Sequence, residues 1–197
     1  MTNVSYSTAI AKDVEQFYPF FEKSIINLFP EYTPATCRYF IEKDYHQKWM
    51  QKVVGDGDKV LYLAKDGDSY VGYLFVNKVY GGVSIASWFA VDPQYQNQGI
   101  GTELIKIWEQ DCLNHYGHSL HLWTTEHNIS FYEKRGFVNG GTYKAAWFGV
   151  DMPMMYKTLR EPSESNYLHE YLGKKYECRR NGCLGRRKRK AHSSDPS

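Results

Sequence analysis

Residues 91–102 of this chain read VDPQYQNQGIGT, and this stretch decides the fold. A hydrophobic strand that ends at Val91 runs into a short loop with two glycines, and the loop opens directly into an amphipathic helix. The first N–H groups of a helix have no acceptor within it, and the helix dipole is positive at that end. Because glycine also lets a ligand approach the backbone closely, the stretch predicts a cradle for a pyrophosphate.

Two familiar phosphate-binding motifs do not fit this loop. A Walker loop requires a lysine directly after its second glycine, and Gly101 is followed by Thr102. A dinucleotide fingerprint requires a third glycine, but Leu104 stands at that position. The pattern that remains is Gln96-x-x-Gly99-x-Gly101.

A second motif follows about 27 residues after Gly101. It reads NISFYEKRGF over residues 128–137, and it places an asparagine at the start of a short helix. Between the two motifs the pattern predicts a helix and then a strand at residues 119–124. The order is therefore strand, cradle, helix, strand, asparagine-led helix and Gly-Phe strand.

Together these segments resemble the GCN5-related N-acetyltransferase (GNAT) family. Its members carry Arg/Gln-x-x-Gly-x-Gly/Ala in the cradle and an asparagine followed by Phe-Tyr-x-x-x-Gly-Phe in the second motif. The resemblance extends over residues 4–159 and is densest over residues 85–138. It implies an α/β fold of the acyl-CoA N-acyltransferase type, in which helices flank a central sheet with both antiparallel and parallel strands.

Hydrophobic periodicity and turn residues predict the individual elements. A single helix is expected from the Thr33-Pro34 cap to Gly55, with one apolar stripe. The other predicted helices cover residues 13–28, 102–115 and 129–134. The predicted strands cover residues 4–7, 59–64, 70–78, 83–91, 119–124, 137–147 and 154–159, the last of which is expected to close the sheet.

Composition predicts one folded domain with an extension. The chain has 197 residues, of which 42% are hydrophobic, and no apolar run approaches the roughly 20 residues that span a bilayer. We assign residues 1–160 to an N-acetyltransferase domain and residues 161–197 to a basic, partly disordered extension. Cys37 and Cys112 lie on apolar helix faces as expected for free thiols, which favours a reducing, cytoplasmic setting.

The resemblance implies acetyl-CoA as cosubstrate, with no metal. The pyrophosphate would lie on the N–H groups of residues 98–102, with Gln96 as a neutral donor where many relatives carry arginine. The pantetheine arm would pair with the end of the preceding strand like an added strand. The predicted cofactor-binding residues are Phe89, Ala90, Val91, Gln96, Asn97, Gln98, Gly99, Ile100, Gly101, Thr102, Asn128 and Tyr132.

Tyr132 is the predicted general acid. In the family the tyrosine of the second motif faces the sulfur of the leaving thiolate, and a phenol can donate a proton to a nascent thiolate. The alternative for Tyr132 is an ordinary packed aromatic residue. Asn128 is expected to contact the cofactor, to cap the helix that follows it, or to do both.

The sequence leaves the general base open. Relatives often carry a glutamate on the strand that leads to the cradle, but residues 83–89 contain no carboxylate. Glu126 is the first candidate because it lies at the end of the following strand. His127, Asp151 and a water relay through Ser87 are the alternatives.

The acceptor is predicted to be a primary amine of a small molecule or a peptide, but its identity is open. The first helices and the last loop would form its side of the site. They contribute aromatic residues and carboxylates, which suit a cation and would equally make an ordinary core and rim. These residues are Phe29, Glu31, Tyr32, Tyr45, Trp49, Trp147 and Asp151.

The C-terminal extension is strongly basic. Residues 171–190 hold nine lysines or arginines and one acid, whereas the whole chain has a net charge of only +2. The run at residues 186–190 could contact nucleic acid through phosphates, although a solvated extension is favoured. Cys178 and Cys183 lack the further ligands of a zinc site.

Three functions follow from these observations. The favoured one is an N-acetyltransferase that moves an acetyl group from acetyl-CoA to a primary amine by direct attack in a ternary complex. The alternatives are a module of the same fold that binds acyl-CoA without transfer, and a nucleic-acid-associated protein that uses the basic tail. The sequence excludes a membrane partner, and it leaves a homodimer open.

Overall fold

The computed structural model describes residues 3–173. The strands are β1 (Val4–Thr8), β2 (Lys59–Asp66), β3 (Ser69–Asn77), β4 (Val83–Val91), β5 (Ser119–Trp123), β6 (Val138–Tyr143) and β7 (Met152–Thr158). The helices are α1 (Asp13–Asn27), α2 (Pro34–Tyr39), α3 (Gln47–Gly55), α4 (Ile100–Asn114), α5 (Ile129–Glu133) and α6 (Glu164–Tyr167). Short 3₁₀ turns cover Pro93–Tyr95, Glu126–Asn128 and Trp147–Gly149.

The seven strands form one mixed sheet in the order β1-β2-β3-β4-β5-β7-β6. Neighbouring strands are antiparallel except β4 and β5, which are parallel because α4 returns the chain to the same end of the sheet. The predicted mixed sheet with flanking helices is confirmed. The single parallel pair lies beside the predicted cradle, so the functional site belongs to the middle of the sheet.

Two hydrophobic clusters cover the two faces of the sheet. On one face α1 buries Phe17 and Phe21 against the sheet, as its apolar stripe predicts. On the other face α4 buries Leu104 and Trp108. The indole N–H of Trp108 donates a hydrogen bond to Ser84 Oγ at 2.7 Å, which ties α4 to β4. This packing fixes where the N-terminus of α4 lies relative to the end of β4.

The helix that was predicted from residue 33 to residue 55 is broken. The Thr33 cap is confirmed, because its side chain accepts a hydrogen bond from the Thr36 N–H. After α2 the chain makes a π-helical turn over Phe40–Asp44, and His46 then becomes extended and caps α3 by accepting from the Trp49 N–H. The predicted stripe still packs in one cluster, which contains Cys37, Ile41, Tyr45, Trp49 and Val53.

The end of the sheet also differs from the sequence prediction. The strand predicted over residues 137–147 ends at Tyr143, because Ala145 and Phe148 adopt positive φ angles of 46° and 59° and turn the chain. The last strand does not close the sheet either: β7 lies between β5 and β6, and β6 is the edge strand.

The first part of the predicted extension packs on the domain. His169 stacks on Tyr116 with ring centroids 3.7 Å apart, and Tyr167 of α6 contacts His118. The basic residues from 174 onward, with Cys178 and Cys183, lie outside the described residues. Within residues 3–173, none of the helices is both long enough and apolar enough to cross a membrane.

Candidate active site

Strands β4 and β5 separate after four residue pairs. The parallel pairing runs from Val83 with Ser119 to Ala86 with Leu122, and β4 then continues to Val91 beside β3 alone. The described pairing therefore leaves one edge of β4 open over residues 87–91. An extended ligand with amide groups can add to such an edge like another strand.

The cradle begins where β4 ends. The first intrahelical bond of α4 runs from the Glu103 N–H to the Gly99 carbonyl at 3.0 Å. The N–H groups of Ile100, Gly101 and Thr102 therefore have no acceptor within the helix. Gly99 caps α4 with a φ of 87°, which favours glycine. The predicted helix start at residue 102 is two residues late, and the loop lies at the N-terminus as expected.

Side chains of the loop hold it through local hydrogen bonds. Asp92 accepts from the Gln94 N–H at 3.0 Å, and the Gln98 amide donates to the Gln94 carbonyl at 2.9 Å. Gln96, the predicted neutral phosphate donor, donates to the Val91 carbonyl at 3.1 Å. The Gln96 side chain thus stabilises the junction of β4 with the loop in this conformation.

Gly101 lies against two aromatic rings. A Cβ atom at this position would lie 3.2 Å from the ring ends of both Phe131 and Phe89, closer than ordinary packing permits. The centres of the two rings are 5.9 Å apart, and the rings lie between the cradle and α5. Glycine thus keeps the first turn of α4 close to the second motif.

Most of the predicted cofactor-binding residues line one cavity of about 390 Å³. Gln98, Gly99 and Thr102 do not line it, and the Thr102 hydroxyl accepts hydrogen bonds from Arg135 instead. The predicted residues on the cavity wall are Phe89, Ala90, Val91, Gln96, Asn97, Ile100, Gly101, Asn128 and Tyr132. The structure thus brings the two sequence motifs together around one space.

A second cavity of about 430 Å³ adjoins the first. The two cavities share Phe89, Asn128 and Tyr132 on their walls. Aromatic side chains are the largest group on the wall of the second cavity, which also carries the half-buried carboxylates of Glu31 and Asp44. Of the predicted acceptor residues, Phe29, Glu31, Tyr32, Tyr45 and Trp147 line it.

Tyr132 lies where the cavities meet. Its side chain is 7% exposed and packs against Phe89, Phe131 and Phe137. Burial raises the pKa of the Tyr132 phenol above its usual value, and the Thr124 hydroxyl together with the charge of Arg135 partly opposes this increase. The phenol is therefore protonated at neutral pH, as a proton donor must be.

Asn128 reaches the wall of both cavities but does not cap α5. Its Nδ2 donates to the Thr125 hydroxyl at 3.1 Å, and no capping bond to the α5 backbone forms. The capping role expected for Asn128 is therefore wrong. Its amide lies beside the junction of the cavities.

The candidate bases differ in position. Glu126 is exposed and lines neither cavity, so the structure does not bring this predicted base to the site. Asp151 is exposed too. Its carboxylate accepts hydrogen bonds from Lys144 Nζ and from the Ala145 N–H, and the bond from Lys144 lowers the pKa of Asp151. His127 lines both cavities, and Ser87 lines the larger one.

The geometry has a counterpart in known sequences. The acetyltransferase (GNAT) domain model matches residues 28–159, which is more than half of the chain. This protein belongs to the GNAT family. It is therefore a member of a family of acetyl-CoA-dependent N-acetyltransferases. A search of curated protein sequences found no matching relative.

Solved structures share this fold. A PaiA N-acetyltransferase from Thermoplasma acidophilum, in complex with coenzyme A, has a TM-score of 0.68 and 16% identity over 79% of this chain and 99% of its own. An aminoglycoside 6′-N-acetyltransferase complexed with coenzyme A has a TM-score of 0.61 and 16% identity, over 81% of this chain and 99% of its own. The ribosomal-protein-S18-alanine N-acetyltransferase from Escherichia coli has a TM-score of 0.60 and 17% identity, over 82% of this chain and 97% of its own. Such identities establish the GNAT fold alone.

Two residues near the GNAT site were not among the predicted site residues. Arg135 stacks on the Phe131 ring at 3.5 Å and donates to Thr102 Oγ1 at 2.6 and 3.0 Å, which places a cation at the first turn of α4. It lies inside the second motif, so that motif could have indicated it. Lys59 bonds Ser87 at 2.9 Å across the sheet, and no local pattern indicates such a contact.

Proposed function

We propose that this GNAT protein transfers the acetyl group of acetyl-CoA to a primary amine by direct attack in a ternary complex. The observation that carries the proposal is the meeting of two cavities at Tyr132, one along the cradle and one lined by aromatic residues and carboxylates. Donor and acceptor can then approach the same point from opposite sides, which a direct transfer requires.

The cofactor cavity has the features that coenzyme A needs. The unpaired N–H groups of Ile100, Gly101 and Thr102 suit a pyrophosphate, and the open edge of β4 suits the amides of the pantetheine arm. Backbone N–H groups of that edge would also stabilise the oxyanion as the amine attacks the thioester. Tyr132 would then protonate the leaving thiolate.

Arg135 compensates in this proposal for the neutral Gln96. Arg135 lines neither cavity, but its contacts with Thr102 and the Phe131 carbonyl place its charge at the first turn of α4. These contacts use three of the five guanidinium N–H groups, and two remain for a phosphate oxygen at this helix end. A charge-assisted hydrogen bond is roughly twice as strong as a neutral one. The cradle can therefore carry a positive charge without the arginine of the family motif.

The Arg135→Gln variant is expected to weaken acetyl-CoA binding by about 10- to 100-fold, because an anion loses one charge-assisted contact worth roughly 1.5–3 kcal/mol. Calorimetry would measure the dissociation constant. Lys134→Gln, which removes a neighbouring exposed charge, is the control and should bind like the parent. Unchanged affinity in Arg135→Gln would exclude this role.

The acceptor that fits the larger cavity is a cationic amine with an apolar or aromatic body. Aromatic walls pack against the body and attract the cation, and Glu31 and Asp44 complement its charge. We place the reaction in the cytoplasm, because the free buried thiols of Cys37 and Cys112 suit a reducing compartment.

An amine panel tests the proposed reaction. Thiol release from acetyl-CoA would be followed with tryptamine, phenethylamine, spermidine, kanamycin and an alanine-led peptide. We expect the highest kcat/KM with an arylalkyl amine. Binding of acetyl-CoA without thiol release above hydrolysis for any amine would instead support the non-catalytic acyl-CoA-binding module.

The carboxylates of the larger cavity give a prediction on KM. Glu31→Gln and Asp44→Asn are each expected to raise KM for the amine about tenfold, with a smaller change in kcat, because each removes an attraction that ground state and transition state share. Glu42→Gln removes an exposed charge close to Asp44 in the chain and serves as the control. KM values that stay at the parent level in both variants would remove the carboxylates from the acceptor site.

A further inference from the structure

Lys59 is a partly buried lysine that has no role in the proposed acetyl transfer. It is the first residue of β2, and its Nζ donates to Ser87 Oγ at 2.9 Å and to the Asn77 side-chain oxygen. The Nζ also lies 5.1 Å from the centre of the Phe75 ring and 6.0 Å from that of Trp49. Its chemical surroundings are thus two neutral polar groups and two aromatic rings.

Ser87 occupies a β-bulge where the open edge of β4 begins. Phe75 pairs with Trp88 and Val76 pairs with Ala86, so Ser87 is the extra residue on β4. A bulge turns a side chain away from its regular alternation and often lies next to an active site. Ser87 directly follows the last β4–β5 pair and lines the acceptor cavity. It therefore connects Lys59 with the space for the amine.

No carboxylate is among the groups that contact the Lys59 amine within the described residues. The charged residues next to the cluster in sequence, Asp58 and Lys78, are both exposed. Burial lowers the pKa of Lys59 to about 8. A substantial fraction of neutral amine is therefore present slightly above neutral pH, whereas an ordinary lysine with a pKa near 10.4 would have almost none.

We propose that Ser87 and Lys59 form a proton relay that deprotonates the acceptor amine. The relay deepens the proposed acetyl transfer and rests on it. It supplies the base that the carboxylate-free strand β4 lacks. Asn77 holds the Lys59 amine in place, so that the neutral form can accept the hydroxyl proton of Ser87.

The proton transfers balance as follows. The acceptor ammonium gives one proton to Ser87 Oγ while the Ser87 hydroxyl proton moves to the neutral Nζ of Lys59. The freed lone pair forms the C–N bond at the acetyl carbonyl, and the C–S electron pair leaves with sulfur, which takes a proton from Tyr132. The second proton of the attacking nitrogen replaces the one that Tyr132 gave, and Lys59 releases its proton to solvent.

The pH dependence of kcat with tryptamine and saturating acetyl-CoA tests the relay. For the parent we expect kcat to rise tenfold per pH unit and to level off near pH 8, because only neutral Lys59 accepts the proton. Lys59→Met should lower kcat at pH 8 about 100-fold and abolish this inflection. Lys65→Met, at the other end of the same strand, is the matched control.

Further variants separate a relay from a structural role. Lys59→Arg retains a cation and a donor for Ser87 but stays protonated, so it should be as slow as Lys59→Met; recovery of activity by arginine would overturn the relay. Ser87→Ala should match Lys59→Met, the double variant should be no slower, and Ser87→Thr should restore most of the rate. In His127→Gln the inflection near pH 8 should remain.

A titration that needs no acceptor completes the test. NMR of protein with ¹³C,¹⁵N-labelled lysine, with the Lys59 signal assigned through Lys59→Met, should give a midpoint near pH 8. A midpoint at 10 or above would overturn the relay. Calorimetry with coenzyme A separates the two proposals. If the parent protein does not bind coenzyme A, the acetyl transfer itself is rejected. If the parent binds and turns over, and Lys59→Met has the same pH dependence of kcat as the parent, only the relay is rejected.

Discussion

Tyr132→Phe is expected to lower kcat at least 100-fold and to leave the dissociation constant of acetyl-CoA within about threefold of the parent value. The phenylalanine ring keeps the packing with Phe89, Phe131 and Phe137 but cannot protonate the thiolate. Loss of a general acid typically costs 10²–10⁴ in rate. Stopped assays of thiol release would give kcat, and calorimetry would give the affinity.

The high pKa of Tyr132 adds a second expectation. Because burial raises this pKa above the usual value of about 10, the phenol stays protonated throughout the pH range of an ordinary assay. The kcat profile should therefore show no descending limb from Tyr132 below pH 10. Tyr156→Phe, on β7 and outside both cavities, should behave like the parent. A Tyr132→Phe variant with full kcat would remove the acid role.

Gly101→Glu is expected to abolish most coenzyme A binding, with a loss of about 100-fold or more. The new carboxylate would project from the first turn of α4, beside the N–H groups that are free for a pyrophosphate. Repulsion between a unit charge and a doubly charged group about 5 Å away costs roughly 2–3 kcal/mol at a dielectric constant of about 50, as expected for a site open to water. Because an acidic residue also favours a helix N-terminus, α4 should remain intact.

Gly101→Ala measures the effect of the Cβ atom alone. It adds the same Cβ, 3.2 Å from the Phe131 and Phe89 rings, without the carboxylate. We expect Gly101→Ala to bind coenzyme A at most about tenfold more weakly than the parent. Higher salt should reduce the difference in affinity between Gly101→Ala and Gly101→Glu. Equal binding by Gly101→Glu and the parent would mean that the pyrophosphate does not lie at this helix end.

The elements near the site follow from local sequence. Thr33 and Pro34 mark a helix start, the Gly99-x-Gly101 pattern marks the start of α4, and residues 83–91 have the predicted strand bounds. Each depends on capping, glycine conformation or hydrophobic pattern within a few residues. The same local signals indicated the cofactor cavity, because its wall comes almost entirely from β4, the cradle and the second motif.

Features that depend on distant contacts could not be predicted in this way. The helical chain breaks after Asp44, but the apolar residues before and after the break lie on one stripe. Periodicity alone therefore favoured a single helix. The hydrogen bond from Lys59 to Ser87 joins residues 28 positions apart and depends on a bulge in β4. Glu126 follows β5 as expected, but its exposed position depends on the 3₁₀ turn that begins there.

Calorimetric titration of coenzyme A into the 197-residue chain tests the central claim, that the N-terminus of α4 and the open edge of β4 bind the cofactor. We predict saturable heat for one molecule per chain, a dissociation constant in the micromolar range, weaker binding at higher salt, and a large loss in Gly101→Glu. A folded protein, as judged by circular dichroism, that gives no heat with coenzyme A would contradict the account.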